Sequence, residues 1–100
     1  MKRLFISQPM RGRTDKEILK EREVAIQAAI QFLGEDVEVI DSFFVGADPN
    51  KPLVYLGESL KMMANADVVY FAPGWRDARG CNVEHLCCIY YGIPTIGEID

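Results

Sequence analysis

Leu4, Phe5 and Ile6 form a short apolar run that stops at Ser7-Gln8-Pro9, the mark of a strand buried on both faces rather than one that alternates at a surface. Thr14 with Glu17 three residues later is a capping-box pattern, and Leu19, Ile26, Ile30 and Leu33 then recur at helical spacing until Gly34 supplies a stop. That predicts a first helix over about 15–33. Val37, Val39 and Ile40, interrupted by Glu38, predict a second strand with a wetter face or at a sheet edge. Leu53, Leu56, Leu60 and Met63 mark the buried stripe of a second helix ending near Asn65-Ala66. Asp67 then leads into Val68-Val69-Tyr70-Phe71, the clearest strand of the chain. After the Pro73-Gly74 turn and a charged loop, a third helix is expected from about Asn82 to Tyr91, closed by Gly92 and Pro94. Thr95-Ile96 begins a short last strand.

Strands alternating with helices predict a parallel sheet with right-handed crossovers. The expected architecture is an α/β, flavodoxin-like three-layer sandwich, with a four-stranded sheet of order 2-1-3-4 and helices on both faces. One hundred residues suit a single domain over 1–100. The loop between Asp41 and Pro52 holds Phe43, Phe44 and Val45, which are expected to pack over the end of the core.

Composition narrows the function classes. A hydrophobic share of 49% and a charged share of 26% describe an ordinary globular chain with no run long enough to span a membrane. The apolar stretch after Met1-Lys2-Arg3 is too short for a secretory signal, so a cytoplasmic location is expected, with the three cysteines reduced. A net charge of −4 argues against a nucleic-acid polymer as partner. A small anionic ligand needs only local positive charge, and Arg11, Arg13, Arg76 and Arg79 are gathered in two short loops.

Open parallel sheets bind ligands beyond the carboxyl ends of the strands, where the strand order reverses. Two loops meet there. The loop after strand one offers Ser7, Gln8, Met10, Arg11, Gly12 and Arg13, a set of donors with one glycine for close approach, which suits a phosphate or ribose. The loop after strand three carries Trp75, Asp77, Arg79 and Gly80 and delivers Glu84 into the expected first turn of helix three. Acids are common in first turns for the helix dipole alone. The same field favours the ionised carboxylate required of a nucleophile or of a group that stabilises an oxocarbenium-like transition state. Trp75, followed directly by charged residues, is expected at the pocket rim or in a subunit contact. Cys81, His85 and Cys88 share one helical face, but a zinc site needs a fourth ligand and none is evident. Neither a metal nor another cofactor is expected.

These residues resemble the nucleoside 2-deoxyribosyltransferase superfamily, including its small domain-of-unknown-function branch and the deoxynucleoside 5′-monophosphate N-glycosidases. The marks are Leu4 to Gly12, Ala66 to Phe71, Gly74 to Gly80, Glu84 and Gly92-Ile93-Pro94, and they cover nearly the whole chain. The resemblance implies that Glu84 attacks the anomeric carbon of a nucleoside or nucleoside 5′-monophosphate, with water or a second base as acceptor. It implies that the loop Met10 to Arg13 recognises a phosphate, and that the chain forms a homo-oligomer, a dimer or higher. Three positions depart from the family pattern: Phe5 stands where a strand-one tyrosine holds the carboxylate, Ser59 where an acid is usual, and Ala78 where an aspartate is expected, with Asp77 one position away. With those partners missing, the same pocket could hold a nucleotide without cleaving it, or the chain could be a small structural subunit.

Overall fold

In the computed structural model, which describes residues 1–9, 11–41 and 50–99, four strands form one all-parallel sheet of order β2-β1-β3-β4. The strands are β1 (Lys2–Ser7), β2 (Val37–Val39), β3 (Val68–Phe71) and β4 (Thr95–Gly97). The helices are α1 (Asp15–Leu33), α2 (Pro52–Met63) and α3 (Arg79–Tyr91), with a short 3₁₀ turn at Trp75–Asp77. The expected flavodoxin-like sandwich is the observed fold. Phe43, Phe44 and Val45 and the loop residue Met10 lie outside the described residues.

The two central strands, β1 and β3, are apolar on both faces because both faces are covered. Side chains alternate across a strand. Leu4, Ile6, Val68 and Tyr70 therefore pack with Ala25 and Ala29 of α1, while Phe5, Val69 and Phe71 pack on the other face with Met63, Cys81 and Cys88 of α2 and α3. β2 is a three-residue edge strand with Glu38 exposed, as its broken pattern predicts.

Helix α1 has the expected limits. The Thr14 hydroxyl accepts from the Glu17 amide at 3.1 Å, the Glu17 carboxylate accepts from the Thr14 amide at 3.2 Å, and Gly34 closes the helix at φ 75°. Its buried stripe is rotated by one residue from the expected one. Ile18, Ala25 and Ala29 face the sheet, Leu19 is exposed, and Ile26, Ile30 and Leu33 flank the contact. Two alanines let the helix axis approach the sheet closely, and the larger residues then fill the shoulders.

Helix α2 also departs from expectation. Met63 is buried, but Leu53 is 76% exposed and Leu56 and Leu60 are only half-buried. Its first turns stand off the sheet. Helix α3 begins three residues earlier than expected, at Arg79, with Ala78 in extended conformation before it and Asn82 donating to the Ala78 carbonyl at 3.0 Å. Gly80 is accommodated inside the first turn, and Glu84 consequently lies in the second. Among the described residues no helix is long and apolar enough to cross a membrane.

Gly97 ends β4 at φ 100°, and a Cβ there would lie 2.4 Å from the Phe71 carbonyl oxygen. Gly34 also has a positive φ, 75°, but open space around it. Gly97→Ala is expected to destabilise the fold by about 2 kcal/mol or more, against about 1 kcal/mol for Gly34→Ala. Urea unfolding of both variants checks the ranking.

Candidate functional site

Beyond the carboxyl ends of β1 and β3 the two segments part, one toward α1 and the other toward α3. The space between them is a cavity of about 530 Å³, closed on its third side by the raised start of α2. That volume is in the range of small-molecule sites. Gln8 and Pro9 contribute one wall, Ala78 to Cys81 with Val83 and Glu84 a second, and Pro52, Leu53, Tyr55, Leu56 and Ser59 a third, over a floor of Phe5 and Ile6.

The central polar feature is a hydrogen bond across the sheet face. Ser7 follows Phe5 by two residues, so it points to the same side, and its hydroxyl donates to Glu84 Oε1 at 2.7 Å. Glu84 is 6% exposed. Burial raises its pKa to about 7, against the opposing pull of the Ser7 hydrogen bond. The expectation of a first-turn carboxylate is corrected: Glu84 sits one turn deeper, where burial favours its neutral form. Cys81 and Cys88, three residues before and four after, continue the same buried stripe of α3. Burial pushes the Cys81 thiol up and the Cys88 thiol up to about 12, so neither is a ready nucleophile.

The sequence-predicted contacts divide. Gln8, Arg79, Gly80 and Glu84 line the cavity, and Ser7 holds Glu84 from below. Arg11, Gly12, Arg13, Trp75 and Asp77 do not line it. Arg11, Gly12 and Asp77 are exposed. Arg13 turns back to pair with Glu21 and to donate to the Pro73 carbonyl, which ties the two loops together.

Trp75, expected at a rim or interface, is a core residue at 4% exposure. Its ring lies 5.1 Å from Phe71 and 4.4 Å from His85, its indole N–H donates to the Glu98 carbonyl, and the Arg76 guanidinium covers it at 4.6 Å. A buried indole satisfied in this way can stand beside charged neighbours in sequence because the 3₁₀ turn sends them outward. His85 is thus a stacking residue, with its pKa lowered by burial and then by Arg76. Among the described residues no cluster of His, Cys, Asp or Glu is arranged to hold a metal.

The α2 wall was not legible as site. Leu53 and Leu56 have the same helical spacing whether they face a core or a cavity. Phe5, Ser59 and Ala78, the three departures from the family pattern, all line the cavity with Glu84. Comparison with protein-family models, with curated proteins and with solved structures finds no match to this chain.

A folded-state pKa near 7 against an ordinary 4.5 has a fixed sign for stability. Glu84 favours the fold fully below pH 4.5, and that contribution is lost as pH rises through 7. The loss is on the order of 3 kcal/mol. Unfolding measured at pH 4.5 and pH 8 should show this fall in wild type and not in Glu84→Gln, and Ser7→Ala should move the Glu84 carboxylate titration, followed by NMR, to higher pH.

Proposed function

We propose that this cavity binds a nucleoside or nucleoside 5′-monophosphate and that Glu84 acts on its N-glycosidic bond. The carrying observation is the buried Glu84 carboxylate at the cavity wall, held through one oxygen by Ser7. With Oε1 bound, Oε2 has no hydrogen-bond partner among the described residues and is the oxygen left to react. In the proposed cycle Oε2 forms a bond to the anomeric carbon while the carbon–nitrogen bond breaks. The base departs with the bond's electron pair and takes a proton from solvent. Water or a second base then attacks the anomeric carbon and gives up a proton to solvent, while the carbon–Oε2 bond breaks with its electron pair returning to the carboxylate, which is released unchanged.

The Ser7 hydroxyl supplies the support that the family pattern would seek from the residue at Phe5. A donor two positions along the same strand face makes the same kind of O–H hydrogen bond to the carboxylate. The apolar walls of Phe5, Leu53 and Leu56 suit a base, and the sequence resemblance points to the same glutamate. Arg11, Arg79 and the backbone at Gly80 are the groups proposed for a 5′-phosphate.

One observation favours a binding module instead. Glu84 is the only carboxylate among the described residues that line the cavity, so no second acid stands ready to protonate a leaving base. Incubation with a panel of nucleosides and 5′-monophosphates decides between the two. Release of free base by wild type and not by Glu84→Ala is expected, with the rate rising through about pH 7 as the nucleophile ionises. Tight binding with no release by either protein would establish the module. Arg11→Ala should weaken monophosphates more than nucleosides, and equal loss for both removes Arg11 from phosphate recognition.

A homo-oligomer is part of the proposal. Val83, Leu86, Ile89 and Tyr90 leave the outer side of α3 apolar, with Tyr90 75% exposed, and a helix apolar all round is normally covered. Light scattering should report a dimer or larger, and Leu86→Glu should shift it toward monomer; a monomeric wild type would remove this element.

A further inference from the structure

We propose that the substrates of this cavity are nucleosides whose base already carries a fixed positive charge, N-glycosyl pyridinium compounds or N7-alkylated purines. The inference rests on the nucleoside reading above and names the class of base which that reading leaves open. Among the described residues that line the cavity, the charged side chains are Arg79 and Glu84. They are not equivalent. Arg79 is exposed, so water and salt screen it, whereas Glu84 is 6% exposed and its ionised form acts through a medium of low dielectric. The carboxylate therefore dominates the field inside the cavity, and it favours a positive group beside it.

The geometry fixes where on the ligand that group belongs. Ser7 occupies Oε1, while Oε2 has no hydrogen-bond partner among the described residues and is not one of the side-chain atoms sealed from the surface. In the proposed cycle Oε2 meets the anomeric carbon, and the departing nitrogen is bonded to that same carbon. In both classes of charged base this nitrogen shares the positive charge. A positive group there also favours the ionised carboxylate, the nucleophilic form that burial alone holds back.

The departure of the base carries the argument further. A neutral base leaves as an anion unless an acid protonates it, and general acid catalysis of that kind is worth about 10²–10⁴-fold. The cavity offers no such acid among the described residues. Apart from Glu84 its polar side chains are Gln8, Tyr55, Ser59 and Arg79, none of them a proton donor of carboxylic strength, and burial pushes the Cys81 thiol up. A cationic base needs no proton. As Oε2 bonds to the anomeric carbon, the electron pair of the breaking carbon–nitrogen bond neutralises the ring, which leaves as an uncharged heterocycle. Water then attacks the anomeric carbon and gives up a proton to solvent, while the carbon–Oε2 pair returns to Glu84. The lack that speaks for a binding module with neutral bases is no obstacle to these.

The test follows release of free base by chromatography from pairs matched in sugar: 7-methylguanosine with guanosine, 7-methyl-2′-deoxyguanosine with 2′-deoxyguanosine, and nicotinamide riboside with its neutral dihydro form. Subtracting the rate found with Glu84→Ala removes spontaneous cleavage. Where thermal melting shows that this variant does not fold, Glu84→Gln, which keeps an acceptor for Ser7, takes its place. In at least one pair the charged member should be cleaved faster by about tenfold or more, with about 100-fold the ordinary worth of the acid it dispenses with. A preference confined to the purine pairs or to the pyridinium pair supports the proposal and says which base is the substrate. A smaller ratio in every pair overturns the charged-base class and leaves the nucleoside reading standing. Absence of Glu84-dependent release from all of these compounds overturns both the charged-base class and catalysis by Glu84.

Discussion

The hydrogen bond from Ser7 to Glu84 joins the end of the first strand to the second turn of the last helix, and the cavity is organised by it. It exists because β1 and β3 pair in register, with Ser7 opposite Phe71 and the Ala72 amide donating to the Ser7 carbonyl at 3.0 Å. That is where the ladder ends. The segment after β1 then turns toward α1 on one face and the segment after β3 toward α3 on the opposite face. A gap must open at the point where the two leave the sheet, and the geometry of a parallel sheet with reversed winding places it beside a helix start.

Burial gives the carboxylate its chemistry. Helix α3 has almost no charged residue after Arg79 apart from Glu84, and its inner stripe runs Cys81, Glu84, Cys88 against the sheet. A carboxylate in that stripe loses its water and gains a single hydroxyl in exchange. The result is a group poised near neutrality, at a cost to stability when ionised. Neighbouring packing holds it in place: Phe71, Trp75 and His85 stack in sequence and brace the start of α3 from the side away from the cavity. Residues that read as candidate ligand contacts thus serve to hold the helix that carries the acid.

A second set of contacts keeps the loops at fixed separation. Arg13 reaches from the β1 loop to Glu21 on α1 and to the Pro73 carbonyl in the β3 loop. Its charge is consumed within the protein rather than offered to a ligand. The half-buried pairing orders the Gln8 wall relative to the Glu84 wall, so the width of the cavity is a property of the folded frame. Preorganisation of this kind spares a ligand the cost of assembling the site.

The sequence by itself determined the sheet, its order and the limits of α1. Each rests on local rules: apolar runs bounded by Pro and Gly, a Thr14–Glu17 box, a Gly34 stop and the alternation of strand and helix. Periodicity did not resolve which residue of a helix faces inward when small and large side chains compete, so Ala25 and Ala29 displaced the bulkier neighbours from the contact. Nor did it reveal that Gly80 lies within a helix, that Trp75 is core, or that Leu53 and Leu56 of α2 wall a cavity. The partnership of Ser7 with Glu84, the state of that carboxylate and the engagement of Arg13 are relations between residues far apart in the chain. Only the tertiary structure decided them, because hydrogen bonding and desolvation act through space, and nothing in the spacing of residues along a chain records what will lie across the sheet.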